Sequence, residues 1–477
     1  MSPALVNWTV VVAYFGLTLW LGERLGRGQR SIEEYFLAGR RMSWWSTCLS
    51  IVGTETSTLT FVGVPAIAYS GDLTFLQVAL GYVVGRFAVA SLLVPAYFSG
   101  SVQTAYELLA QRFGGMVQRL GSLVFLVSRC LADGVRLFAT ALVLQALLPM
   151  PLAAAILMVT GITLVYTVRG GLRAVIFNDA LQLAVYMGGA LVAMALLVQR
   201  IPGGWEGAVA TLEPLGKLRV FDFGWDWSAP YKFWAGLVGG AVLTMATHGT
   251  DQMFVQRLLA CRSERDAKRA VIGSGILVLA QMGVFLVIGS LLFAFYQSNP
   301  PARPFSSNDQ VFARFIADEM PAGLGGLLIA SVFAAAMSTL SSSMSSLASA
   351  STLDFLLRGR STSTERALRT SRRITLAWAA VLALVAGLAQ GWGSVLEAGL
   401  TITSITFSGI LGIFLVGLTR WSLPQWQVAL ALAAGVGAAL AAQQYSLAWT
   451  WLTPLGATVT VLLAAVLALA RRVSASP

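Results

Sequence analysis

The chain has 477 residues, of which 57% are hydrophobic and only 11% charged, against roughly 25% charged in an ordinary soluble domain. This balance, with no long polar linker anywhere, excludes a set of soluble domains. The formal net charge of +11 therefore calls for an explanation other than nucleic-acid binding.

A bilayer core takes about 20 apolar residues per helix. On that length the chain divides into about thirteen spans, near residues 4–22, 44–69, 74–98, 118–148, 150–168, 175–199, 231–256, 270–296, 322–354, 374–390, 394–418, 424–442 and 448–470. The first has no basic segment ahead of it, so it reads as a retained helix rather than a cleaved signal. Basic residues follow alternate spans. Arg24, Arg27, Arg30, Arg40 and Arg41 follow the first, Arg112 and Arg119 the third, and Arg169 and Arg173 the fifth. Arg257, Arg262, Arg265, Lys268 and Arg269 follow the seventh. Arg358, Arg360, Arg366, Arg369, Arg372 and Arg373 follow the ninth, and Arg471 and Arg472 the last. The longest opposing loop, 200–230, holds only Arg200, Lys217 and Arg219. The positive-inside rule then sets the N-terminus outside and the C-terminus in the cytoplasm of a plasma-membrane protein. The charge excess is topology, not a nucleic-acid footprint. Trp44, Trp45, Trp225, Trp227, Trp421, Trp426, Trp449 and Trp451 fall at or near span ends, where interfacial aromatics belong.

Ionisable residues inside spans mark pathways or binding sites. In the second span Glu55 stands in Ser50-Ile-Val-Gly-Thr-Glu-Thr-Ser-Thr-Leu-Thr60, a hydroxyl-rich run that makes a poor helix. Backbone unwound at membrane depth is tolerated where protein or a cavity satisfies it, and its freed carbonyls can hold a cation. The plainer alternative is an intact helix with Glu55 paired to an arginine. The fourth span carries Arg129, Asp133 and Arg136 on one face, so Asp133 can bridge both guanidinium groups. With Arg86 in the third span, a surplus of positive charge is left that a carboxylate substrate could answer. Anion binding and a structural ion pair both stay open.

Asp179, at the start of the sixth span, is either a helix-start carboxylate or part of a site. His248 reads as a hydrogen bonder at the cytoplasmic end of the seventh span or as a proton-sensitive group. In the ninth, Ser338 to Ser346 packs seven hydroxyls into nine residues, a source of hard oxygen ligands and of close helix packing. The three cysteines, Cys48, Cys130 and Cys261, have no metal or redox spacing. No cofactor is expected. Clustered His, Cys or paired acids are missing from the sequence, which argues against an enzyme. A nucleotide-binding Gly-Lys-Ser/Thr loop is missing too, so solute movement would draw on an ion gradient.

Several motifs then add a resemblance. Glu34-Tyr-Phe-Leu-Ala-Gly-Arg40, Phe61-Val-Gly-Val-Pro65 and Tyr106-Glu-Leu-Leu-Ala-Gln-Arg-Phe-Gly114 occur in order. They are followed by Tyr166-Thr-Val-Arg-Gly-Gly-Leu-Arg-Ala-Val-Ile-Phe-Asn-Asp179, Gly249-Thr-Asp-Gln-Met-Phe-Val-Gln-Arg257 and the serine-rich run ending in Asp354. From about residue 31 to 420 the chain resembles the sodium:solute symporters. The resemblance implies an all-α LeuT-like fold, with two inverted five-helix repeats at 43–199 and 231–420. A first helix and loop at 1–42 precede them, and C-terminal helices and a short tail at 421–477 follow. It implies a sodium site on Gly53, Thr56, Ala335, Ser338 and Thr339. A second sodium, present in some members, would fall on Asp179, Ser338, Ser341 and Ser342. The family's substrate pocket would fall on Glu55, Ser57, Thr60, Gln77, Thr244, Thr247 and His248. Glu55 departs from the sugar-transporting members, and the large aromatic gate of those members is missing, both of which argue against a sugar.

The expectation is a sodium-coupled symporter of a small polar or anionic organic solute, its partners being sodium, that solute and the lipid bilayer. Proton coupling through Glu55 or Asp179 stays open as an alternative. So does a membrane sensor, although the sequence after Leu469 is only Ala-Arg-Arg-Val-Ser-Ala-Ser-Pro.

Overall fold

The computed structural model describes residues 2–474 apart from 27, 28, 30, 101, 148, 149, 302, 303, 306, 359–362 and 390–394. Arg27, Arg30, Arg360, the expected span ends at 148, 390 and 394, and the last tail residues, 475–477, lie outside the described residues. Among the described residues there is no strand, only an isolated bridge between Met42 and Cys261.

The principal helices are α1 (Pro3–Gly26), α2 (Trp44–Glu55), α3 (Thr58–Ser70), α4 (Leu76–Phe98) and α5 (Gly115–Leu147). They continue as α6 (Leu152–Arg200), α7 (Gly240–Thr250), α8 (Gln252–Leu259), α9 (Glu264–Ser298) and α10 (Leu324–Ala350). The last four are α11 (Thr364–Leu388), α12 (Val395–Leu418), α13 (Gln425–Gln444) and α14 (Trp449–Ser474). Nine helices among the described residues are long and apolar enough to cross a bilayer, and the bent pair α2–α3 makes ten. The thirteen spans expected above further count α5, the pair α7–α8, and α6 as two.

Among the described residues two spans are broken, and a third break separates the two spans of α6, each for a legible reason. Between α2 and α3 the axis bends by 64° at Thr56 and Ser57, whose ψ angles of 98° and 172° are extended. Hydroxyl side chains here compete with the helix for backbone hydrogen bonds. In α6 the break is Gly171, at φ 56° and ψ −165°, a conformation open to glycine alone at low cost. A Cβ there would also lie 2.7 Å from Gln29 Nε2 and 2.8 Å from the Tyr35 carbonyl. Between α7 and α8 the residue is Asp251, at ψ 124°, whose carboxylate caps α8 by accepting from Met253 N at 2.8 Å.

Helix α10 forms the centre of the bundle. Every residue from Ala330 to Ala350 is buried, and α10 packs on α6, α5, α1 and α2. A helix buried on all sides is normally apolar all round. This one is not, and its hydroxyls are satisfied in part a turn back, Ser342 to the Ser338 carbonyl at 2.7 Å and Ser343 to that of Thr339 at 3.0 Å. At the far side α12, α13 and α14 pack mainly on one another.

Two expectations about basic residues need correcting. Arg257, counted above in a loop, is fully buried in α8, because the broken span carries the chain on for another two turns. Arg366, Arg369, Arg372 and Arg373 are on helix α11, which starts ten residues before the expected 374. Its first turn carries Glu365, bonded to Arg369 at 2.6 Å, and such i,i+4 pairs extend a helix into water.

Close approach of α9 to α3 depends on Gly289, where a Cβ would stand 2.1 Å from the Pro65 carbonyl oxygen. Gly289→Ala should destabilise the protein by about 1–3 kcal/mol, the usual cost of forcing packed elements apart. Gly188→Ala, with nothing within 4 Å of the new Cβ, should cost nothing. Thermal unfolding midpoints of the two purified variants check this, and equal midpoints would contradict the packing.

Candidate functional site

The α2–α3 break faces the hydroxyl-rich stripe of α10. Thr339 donates its hydroxyl to the Thr54 carbonyl at 3.0 Å, and Thr58 donates to the Val332 carbonyl at 3.3 Å. Thr54 and Ser342 hydroxyls are 3.0 Å apart. On the break's other side, Gln281 of α9 donates to the Thr56 hydroxyl, which itself donates to the Val52 carbonyl at 3.0 Å. Gly53 lets this backbone lie against α6, since a Cβ there would be 2.7 Å from the Asp179 carbonyl. Of the expected sodium residues, the structure thus brings Gly53 and Thr56 to the break, and Ala335, Ser338 and Thr339 to the facing helix. Their oxygens are uncharged and hard, the donor type that suits a small alkali cation.

One turn away lies a second oxygen cluster around Asp179. Its Oδ1 accepts from Ser338 at 2.7 Å, and its Oδ2 from Ser50 at 2.5 Å and Thr54 at 3.1 Å. Arg257 donates to Oδ2 at 2.9 Å, and also reaches Ser342. Asp179 and Arg257 are both fully buried. The helix-start reading of Asp179 does not hold, because α6 resumes at residue 172 and carries Asp179 well inside its second half. Ser341 turns away, donating to the Ser338 carbonyl at 3.1 Å. Ser50, Thr54 and Arg257 belong to this cluster and were not assigned to it from sequence. Ser50 and Thr54 are i,i+4 on α2, which is the signal that could have found them.

Beside the break is a cavity of about 100 Å³, several times the room one water needs. Glu55, Ser57, Thr60, Thr244, Thr247 and His248 all line it, as do Arg129 and Arg136. Gln77 does not. Its amide is taken up by backbone, donating to Thr74 and Tyr231 carbonyls at 3.1 and 2.9 Å and accepting from Asp222 N at 3.0 Å.

Charge in the cavity wall is arranged in pairs. Glu55 pairs with Arg86, whose other arm donates to Ser274 at 2.8 Å. His248 Nε2 lies 3.1 Å from the Arg86 guanidinium and 3.5 Å from Glu55 Oε2, and its ring stacks on Phe254 at 4.0 Å. His248 is therefore inside the broken span next to Asp251, not at a cytoplasmic helix end. Asp133 bridges Arg129 at 3.4 Å and Arg136 at 2.6 Å, while Arg129 also pairs with Asp251. The expected surplus of positive charge is thus answered, Arg86 by Glu55 and Arg129 by Asp251. Of the three arginines, Arg136 is the least enclosed, at 22% side-chain exposure.

Removing one partner of a buried pair leaves an uncompensated charge, at about 3–5 kcal/mol. Arg257→Met should therefore destabilise the protein strongly, and adding Asp179→Asn should restore part of the loss. Thermal unfolding of the two single variants and the double variant measures this. Additive losses would show that the pair is not coupled.

The comparisons with known proteins agree on one family. The family profile described as the Sodium:solute symporter family matches residues 35–423. The sodium/iodide cotransporter of Homo sapiens is 30% identical over 439 residues, covering 89% of this chain and 66% of that protein. The chain thus spans about two thirds of the human relative's length. The sodium/sialic acid symporter of Proteus mirabilis is 26% identical over 430 residues, covering 87% of this chain and 84% of that one. A solved Na+-coupled sialic acid symporter, in a substrate-bound outward-open state with a novel Na+ site, superposes at a TM-score of 0.90. It shares 25% identity, with 97% of each chain covered.

Proposed function

The chain belongs to the sodium:solute symporter family, a family of membrane transporters, and from that premise we propose that it is a sodium-coupled symporter of a small anionic or polar organic solute. The observation that carries this reading is the seam between the α2–α3 break and α10. There uncharged carbonyl and hydroxyl oxygens from two separate elements meet beside a cavity into which Glu55 and several hydroxyl residues are set among apolar side chains.

Sodium would be held at that seam by Gly53, Thr56, Ala335, Ser338 and Thr339. Coupling requires only that the ion favour one arrangement of the two elements. A cation bridging break and helix does that, because it binds well only when both contribute oxygens. The membrane potential adds about 2.3 kcal/mol per charge per 100 mV to the driving force. A second cation would use Asp179, Ser338 and Ser342, in competition with Arg257 for the carboxylate. Proton coupling is the weaker alternative, because Glu55 and Asp179 are each ion-paired to an arginine.

The solute would sit in the cavity among Glu55, Ser57, Thr60, Thr244, Thr247 and His248, with Gln77 left to a structural role. Arg136 supports an anionic group on the solute: it lines the cavity, and a guanidinium suits a carboxylate in bidentate geometry. The iodide and sialic acid carriers similar to this chain also carry anions in their names. In this reading the repeats run over 43–199 and 231–420, and each opens on a broken span, α2–α3 and α7–α8. The basic loops face the cytoplasm by the positive-inside rule.

Screening small carboxylates and polar metabolites by thermal shift, in NaCl and in KCl, tests the proposal. A true solute should stabilise by about 2.7 kcal/mol at a hundred times its Kd in sodium and far less in potassium. Equal stabilisation in both salts would contradict sodium coupling. For the hit, Arg136→Gln should weaken binding about tenfold or more, and unchanged affinity would remove Arg136 from the solute site.

A further inference from the structure

At the end of the bundle that carries the basic loops there is a second cavity, of about 350 Å³, separate from the transport site. Arg41, Arg173 and Arg262 line it, together with Gln29, Ser43 and Ser46. Glu34 is the acidic residue of the lining. Arg262 is bonded to Asp266 at 2.6 Å. Arg41 and Arg173 are exposed, and nothing in the proposed transport site calls for their charge.

Two features of the backbone add to this positive field. Gly171 breaks α6, so a long helix starts at residue 172, next to Arg173. Ser43 caps α2, whose first turn holds no acidic residue. Helix N-termini carry partial positive charge and unpaired N–H groups, which favours anions. Gln29 holds the wall in place by donating to the Gly170 carbonyl at 2.5 Å.

The depth of the cavity indicates the source of such an anion. Trp44 and Trp45, adjoining its lining residue Ser43, are exposed on the outer surface of α2. Trp20 is exposed on α1, with Arg24 at 5.1 Å over its ring. Exposed tryptophans and arginines together mark the headgroup level of a bilayer. Basic pockets between helices at that level are suited to anionic headgroups.

We propose that this cavity binds a phosphate group through Arg41, Arg173 and Arg262, and its depth favours the phosphate of an anionic lipid over a free one. The site is distinct from the solute cavity, and its function would be to fix Gln29 and Arg41 against the α6 break.

The test uses the full chain purified in detergent. Wild type is compared with Arg41→Gln/Arg173→Gln, and with Arg366→Gln/Arg369→Gln as a control for general basicity. Thermal unfolding is followed on adding phosphatidylglycerol, phosphatidylcholine or inorganic phosphate, and native mass spectrometry counts retained lipid. Wild type and the control should be stabilised by phosphatidylglycerol and keep it, with phosphatidylcholine inert. The Arg41/Arg173 variant should bind it about fivefold more weakly for each arginine removed. Saturable stabilisation by inorganic phosphate alone, lost in the same variant, would support the site and assign it a soluble ligand. Equal response of all three proteins, or no response to any phosphate, would overturn it. Unfolding of each variant without additive shows that it is folded, so a lost response cannot be mistaken for a lost protein.

Discussion

The structure depends on one constraint: a span broken at membrane depth must have its freed carbonyls satisfied by something other than water. Between Glu55 and Thr58 the helix stops, and an unsatisfied backbone group in an apolar medium costs several kcal/mol. Helix α10 meets this need with hydroxyls, Thr339 to the Thr54 carbonyl being the direct contact. Other hydroxyls of this buried helix answer carboxylates instead, Ser338 that of Asp179 and Ser343 that of Asp133. A hydroxyl can rotate away from a carbonyl, and the oxygens then present can hold a cation instead. A structural seam of this kind is also suited to be an ion-sensitive one.

Electrostatics follows the same pattern. Three of the buried ion pairs join different spans: Glu55 with Arg86, Asp179 with Arg257, Asp251 with Arg129. Such pairs are costly to bury and gain little net stability, but breaking one is expensive. They therefore hold particular helices together in a particular arrangement. Asp251 has two roles, capping α8 and answering Arg129. This ties the second broken span to the α5 face that carries Asp133, and Asp133 is in turn bonded by Ser343 of α10. Both broken spans are thus anchored to the same hydroxyl-rich helix.

Much of this was legible in the sequence. Span order followed from apolar length, and the α2–α3 break from the hydroxyl run around Glu55. The pairing of Asp133 with two arginines followed from helical spacing. What escaped is non-local. That Arg257 is buried against Asp179 depends on α8 continuing inward after Asp251, which no periodicity in an eight-residue helix announces. Gln77 reads as a polar lining residue, yet its amide is taken up by the Thr74 carbonyl and by a loop far along the chain, at Asp222 and Tyr231. The start of α11 was missed because its first turns are charged, and an apolar-length criterion cannot register a helix standing in water. The family resemblance carried the expected sodium residues to their positions; the contacts among Ser50, Thr54 and Arg257 became visible only in three dimensions.

The central claim, that a sodium ion joins the α2–α3 break to α10, can be tested without knowing the solute. The unfolding midpoint of wild type and Ser338→Ala is followed over increasing NaCl, against KCl at matched ionic strength. A bound ion stabilises by mass action, so the midpoint of wild type should rise further in sodium than in potassium, and Ser338→Ala should lose that difference. Identical midpoints in the two salts for wild type, or an undiminished sodium effect in Ser338→Ala, would contradict the account.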